Sequence, residues 1–210
     1  MYLLIGAITI ENIRKGETYL SIPLGMIMDS TAASTDTIFG PLISSLRNAY
    51  KQTDDFHELL FFLLHERLVR HKHSKYWPYL RLLPIPRETH PPTGWSLQDI
   101  RNKLQPSLVS GIAEVHKNRT EGTYNHIIKV KEIDTFFPSG VLTFENYQWA
   151  SEILDSRSIW WEGKRHLVPM LDFINCKEGP LGSTVHSTQV EMQNNQQYAA
   201  VTKAGEFCKK

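Results

Sequence analysis

Leu59-Leu60-Phe61-Phe62-Leu63-Leu64 leaves this chain few ways to fold. Asp54 and Asp55 can accept hydrogen bonds from the free amides of a helix start, so a helix is expected from 56 to about 71. At about 3.6 residues per turn, six consecutive apolar residues cover its whole circumference. A helix of that kind has to be wrapped by other elements. Its second half is charged. The elements available for wrapping are also helical: 41–50, 96–103, 106 to about 119, and one from near 143 to about 156. In the last, Phe144, Tyr147, Ala150, Ile153 and Leu154 recur at helical spacing. Between them, prolines in Tyr76-Trp77-Pro78-Tyr79-Leu80 and as far as Pro92 forbid a regular helix.

The two ends of the chain are patterned differently. Ala7-Ile8-Thr9-Ile10 and Thr18-Tyr19-Leu20-Ser21-Ile22-Pro23 are expected to form a hairpin turned at Gly16. Residues 30–36, small and polar, are expected to form a loop. Near the far end, a polar loop to about 197 precedes a short strand at 198–201, expected to be an unpaired edge. The layout is β, helical block, then helix and β again, an α+β class. Of 210 residues, 41% are hydrophobic and 21% charged, and the net charge is +1, so no global field selects nucleic acid or membrane. No run is long enough to span a bilayer. Two cysteines, Cys176 and Cys208, do not make a disulfide scaffold and fit an intracellular, reducing compartment.

Familiar catalytic patterns are incomplete. His57-Glu58 and His65-Glu66 begin like zinc-protease helices, but Phe61 and Val69 stand where the second histidine is needed, so no metal is expected. Arg70-His71-Lys72-His73 reads as a solvated helix end suited to the dipole. There is no Gly-rich phosphate loop and no serine elbow. Cys176 could act as a nucleophile if His166 or His186 approached it; a small buried thiol is the plainer reading. More telling is Leu167-Val168-Pro169-Met170-Leu171-Asp172-Phe173-Ile174-Asn175-Cys176, where an apolar run ends on polar groups. Buried polar groups need partners, and a ligand is one candidate.

That stretch resembles the Pro-x-x-Asp-x-x-Asn-His segment of SET-domain methyltransferases, in the branch of the Rubisco large-subunit lysine methyltransferase and the actin-histidine methyltransferase. Gly6-Ala7-Ile8-Thr9-Ile10-Glu11-Asn12-Ile13-Arg14-Lys15-Gly16-Glu17 is similar to the family's opening hairpin. Ser21-Ile22-Pro23 and Met28 follow as the family has them. Tyr76-Trp77-Pro78-Tyr79-Leu80 with Leu83-Pro84 looks like part of its helical insertion, and Trp149-Ala150 with Ser156-Arg157 like the helix facing its cofactor. The matches occur in order over nearly the whole chain.

The resemblance implies a SET β-fold of small sheets and a pseudoknot, split by a helical insertion. Residues 1–40 and 143–210 would belong to the SET domain and 41–142 to the insertion. It implies an S-adenosylmethionine-dependent protein-lysine N-methyltransferase. Arg157 would pair with the cofactor carboxylate, and Asn175 would hydrogen-bond its amino-acid end. Cys176, in place of the usual histidine, would contribute backbone contacts toward the adenine, and Asp172 would hold the knot. Ile159 and Trp160 would form an apolar wall for a lysine stem, where the histidine-modifying relative has an asparagine. The partner implied is a lysine-containing protein, in cytoplasm or nucleus. The family's catalytic tyrosine is expected beyond Lys210, and residues 1–5 replace part of its cofactor cradle, so the chain reads as truncated at both ends, with little activity alone. The alternatives are a non-catalytic SET-like scaffold binding a protein partner and a protein-histidine methyltransferase.

Overall fold

The computed structural model describes residues 6–7, 10–49, 54–86, 88–89, 91–130, 133–174, 186–193 and 197–204. The chain forms two compact units, a mostly β unit of Met1–Met28 with Ser158–Lys210, and a helical unit of Asp29–Arg157. An α+β layout, with helices interposed between β-rich ends, is what the sequence implied.

In the β unit, strands β1 (Thr18–Pro23), β2 (Ile159–Trp161), β3 (Lys164–His166), β4 (His186–Gln193) and β5 (Gln197–Ala204) make two antiparallel sheets. One has the order β1-β5-β4 and the other is the β2-β3 hairpin. Three expectations are corrected. The described partner of β1 is β5, through pairs such as Ser21 with Val201 and Ile22 with Ala200, and not the segment at 7–10, of which Ile8 and Thr9 lie outside the described residues. The strand at 198–201 is central, not an unpaired edge. The polar stretch before it contains β4, whose backbone groups pair along β5. Thr188 faces Thr202 with hydroxyls 3.0 Å apart, and Lys203 pairs with Glu191 at 2.6 Å. Polar side chains disguise β4 because it is an edge strand, with Gln189, Val190 and Met192 exposed and Thr188 and Glu191 half-buried. The β2-β3 hairpin turns at Glu162 and Gly163, both at positive φ, the geometry of the two-residue turn that favours glycine.

The helical unit is built around α3. Its helices are α1 (Ser30–Thr35), α2 (Gly40–Ala49), α3 (Asp55–Leu64), α4 (Trp77–Leu80), α5 (Leu97–Leu104), α6 (Leu108–Ile127), α7 (Ile133–Phe136) and α8 (Phe144–Arg157). Asp54 caps α3 by accepting from the His57 amide at 3.1 Å, and the helix continues as a wider π-helical stretch over His65–Arg70. Leu59 to Leu64 are all buried, against α1 and α8. Aromatic contacts complete the wrapping: Phe61 with Tyr147 at 6.0 Å, and Phe62 with Phe39 at 5.5 Å. The carboxylates of the two His-Glu pairs are held by arginines, Glu58 by a two-point contact with Arg47 and Glu66 by Arg70. α6 runs further than expected because Tyr124 anchors its last turns, donating to the Leu142 carbonyl at 3.0 Å and stacking on Tyr147 at 5.4 Å. Pro78 is tolerated in α4 because it occupies the first turn, where its missing N–H has no partner to lose.

α1 replaces the loop expected at 30–36. Asp29 Oδ1 accepts from the Ala32 amide at 2.6 Å, and the Asp29 carbonyl accepts from Ala33. Asp29→Ala should therefore lower stability by about 1 kcal/mol, whereas Asp29→Asn, another good cap, should cost much less. The urea midpoints of the two variants check this; equal losses would show that the cap is not what holds α1.

Candidate functional site

The apolar run at 167–171 is locked before it reaches its polar end. Leu167 exchanges two backbone hydrogen bonds with Met28, at 2.9 and 3.1 Å. Val168 and Leu171 then join Ile27 and Ala200 in one buried cluster, flanked by Leu20, Ile22, Ile159, Trp161 and Ile174. To send Leu171 and Phe173 inward, the chain turns sharply at Met170, which has φ +69 and is exposed. This left-handed conformation is unfavourable for a side chain with a Cβ, and the burial on either side maintains it. A single 3-10 turn over Leu171–Phe173 follows.

Past this turn the segment lies beside the N-terminal residues. The Ala7 amide donates to the Phe173 carbonyl at 2.7 Å, and Ala7 bridges Ile174 in parallel. Asp172 is half-buried, with Oδ1 shielded from solvent. Up to Ile174 the stretch is thus packed between the N-terminal segment and β5. Asn175 and Cys176 lie outside the described residues.

Ile159 and Trp160 are adjacent on β2 and face opposite ways. Ile159 packs on the cluster around Val168, and Trp160 is 64% exposed. The Arg165 guanidinium lies 5.0 Å from the Trp160 ring centroid and donates to Ser158 Oγ at 3.1 Å. A cation over an indole is attracted by the ring's negative face. Arg165 was not singled out from the sequence; Glu162-Gly163 between apolar and basic residues was the available signal that a hairpin would bring it opposite Trp160. On the other side of the hairpin Trp161 packs against buried His166, whose Nδ1 donates to the Lys164 carbonyl at 3.1 Å.

Arg157 is the last residue of α8 in the helical unit and is half-buried. A cation there suits the negative end of the helix dipole. Among the described residues no group of three His, Cys, Asp or Glu side chains could hold a metal ion, and no helix is long and apolar enough to cross a membrane.

No protein-family model and no curated protein matches this sequence. Solved structures do match its fold. The SET domain of LSMT bound to lysine and AdoHcy superposes with a TM-score of 0.73 at 20% identity, over 96% of this chain and 45% of that one. Rubisco LSMT bound to AdoMet gives 0.68 at 22%, over 96% and 44%. The same SET domain bound to MeLysine and AdoHcy gives 0.74 at 22%, over 96% and 44%. The fold is that of these SET domains, and the chain spans less than half the length of the structures it matches.

Proposed function

We propose that this chain carries the S-adenosylmethionine-binding part of a protein-lysine N-methyltransferase. The observation that carries the reading is the superposition of 96% of the chain on SET domains bound to AdoMet or AdoHcy and to lysine. The proposed organisation puts residues 1–40 and 143–210 in the SET domain and 41–142 in its insertion.

When bound, S-adenosylmethionine supplies an electrophilic methyl group. The tasks left to the protein are to hold the cofactor, exclude water and present a neutral amine. Arg157 is proposed to hold the cofactor carboxylate, since a planar guanidinium matches a carboxylate at two points. Asn175 is proposed to bond its amino-acid end, Cys176 to contribute backbone contacts, and Asp172 to fix the turn that presents them. A free lysine amine has a pKa of about 10.4 and is protonated near neutrality. The exposed Trp160 indole is proposed as the apolar wall that disfavours the charged form, with Ile159 on the opposite face of β2 anchoring the strand to the core, so that the amine enters neutral with its lone pair directed at the methyl carbon.

Calorimetric titration with S-adenosylmethionine tests the reading. Saturable binding is expected, weakened about 10- to 100-fold by Arg157→Ala or Asn175→Ala, the range for lost hydrogen bonds to charged groups. Arg157→Lys should recover part of the loss. Binding that neither alanine variant disturbs would refute these assignments. With labelled cofactor and a protein mixture, mass spectrometry should then find the methyl group on lysine; methylation of histidine would refute the lysine reading.

A further inference from the structure

The helical unit contains a second feature with recognisable binding chemistry, a cleft of about 210 Å³. One wall is a stripe of α8, with Glu145, Gln148 and Glu152 at helical spacing. The other is the loop between α4 and α5, which contributes Pro86, Pro91 and Trp95. The proline rings fix φ at Pro86 and Pro91. The distance of this wall from α8 is set at Gly94, where a Cβ would stand 2.8 Å from Gln148 Nε2 and 3.2 Å from Glu152 Oε1.

The Glu152 carboxylate at the cleft is oriented by its neighbours. Glu152 accepts from Gln148 Nε2 at 2.9 Å through one oxygen and from the Thr89 hydroxyl through the other. Both donors are neutral, so they orient the carboxylate without cancelling its charge. Glu145 adds a second carboxylate at the exposed rim. The indoles that line the cleft are held in place: Trp149 donates to the Pro84 carbonyl at 2.8 Å, with Arg67 4.0 Å from its ring centroid, and Trp95 has Lys103 Nζ at 4.9 Å.

We propose that this cleft binds one lysine or arginine side chain of an extended segment of a partner protein, at a site that does not depend on methyl transfer. The carboxylates select a cation, which would compete with Lys103 for the face of Trp95. Among the described residues no three His, Cys, Asp or Glu side chains gather at the cleft, so a side-chain cation fits it better than a metal ion. The volume is below the roughly 300–1,000 Å³ of small-molecule sites and suits a single side chain.

The test follows the indole N–H signals of the protein by NMR during titration with acetyl-Gly-Lys-Gly-amide, its arginine counterpart and its norleucine counterpart. Saturable shifts of the Trp95 signal are expected with lysine or arginine and not with norleucine. Glu145→Gln with Glu152→Gln should weaken binding about 2- to 30-fold, as expected from losing two surface charge contacts. Lys103 is 59% exposed, so Lys103→Ala should leave the fold intact. By removing a positive charge beside Trp95 it should tighten binding about two- to fivefold. Equal binding of the norleucine peptide, absence of saturable shifts, or a Lys103→Ala variant that binds no better would overturn the proposal.

Discussion

Arg70→Met is expected to destabilise the helical unit by about 3–5 kcal/mol, the range for leaving a buried charge without its partner. The Glu66 side chain is 0% exposed and accepts from Arg70 Nη1 at 2.6 Å and from the Ser74 hydroxyl. The same guanidinium holds Asp36 through Nη1 at 2.8 Å and Nη2 at 2.6 Å. Asp36 in turn accepts from the amides of Ile38 and Phe39, at the turn leading into α2. One arginine therefore ties the π-helical stretch to the start of α2. Burial pushes the Glu66 carboxyl above its ordinary value against the opposing pull of Ser74 and Arg70. Without Arg70, burial is opposed only by a hydroxyl. Removing both charges is less disruptive than removing one, because only Asp36, which keeps the Ile38 and Phe39 amides, is then left without its cation. Glu66→Met combined with Arg70→Met should thus recover part of the loss. Urea unfolding of the three proteins measures it, and a double variant no more stable than Arg70→Met alone would sink the argument. Asp36 supplies an acid-side signature. Burial opposes its charge, but the Arg70 hydrogen bond, the two amides and the Arg70 charge together hold its pKa at about 2. Its contribution is present above about 3.8 and disappears as pH falls toward 2.

A second large effect is expected between pH 6.5 and about 4, where His65 should make the protein lose about 3 kcal/mol as pH falls. His65 is 3% exposed, and its Nδ1 is buried without a hydrogen-bond partner. Its ring lies 4.9 Å from Phe39 and, at right angles, 5.9 Å from Phe137. Burial lowers its pKa to about 4, assisted by the Arg70 charge and opposed by Asp36. The folded form therefore resists a proton that the unfolded chain accepts from pH 6.5 downward. The stabilisation is complete above 6.5, declines as pH falls, and declines no further below about 4. Glu66 acts in the opposite sense, because its raised pKa lets the folded form take a proton first. The comparison that isolates the histidine is His65→Leu against the parent, unfolded in urea at pH 7 and pH 4.5. The parent should lose more stability than the variant by about 2.4 kcal/mol, since at pH 4.5 the drop is not yet complete. Equal losses would show that His65 is not the group responsible.

Much of the helical unit was legible because its signals act within a turn or two. Six apolar residues in a row, preceded by Asp54, identified α3 and its burial, and Ser96, which accepts from the Asp99 amide at 3.0 Å, marked the start of α5. The run at 167–174 announced a buried segment with a polar edge for the same reason. Where local signals were weak, the reading failed. The small residues of α1 resemble a loop until Asp29 is seen capping them, and β4 lacks an apolar pattern because it is an edge.

What the sequence determined by itself is the set of segments that must be buried and the helices that caps and periodicity define, since these follow from side-chain polarity and hydrogen bonds a few residues apart. Only the tertiary structure decided which segments meet. β1 pairs with β5 about the length of the chain away, Ala7 lies on Ile174, Arg70 reaches across to Asp36, and Arg165 comes to rest beside Trp160. Such contacts depend on register, shape and the joint burial of many groups, and no short stretch of sequence encodes them: Thr18 to Pro23 would satisfy its backbone equally well against another strand, and the cluster of Ile27, Val168, Leu171 and Ala200 is what selects β5.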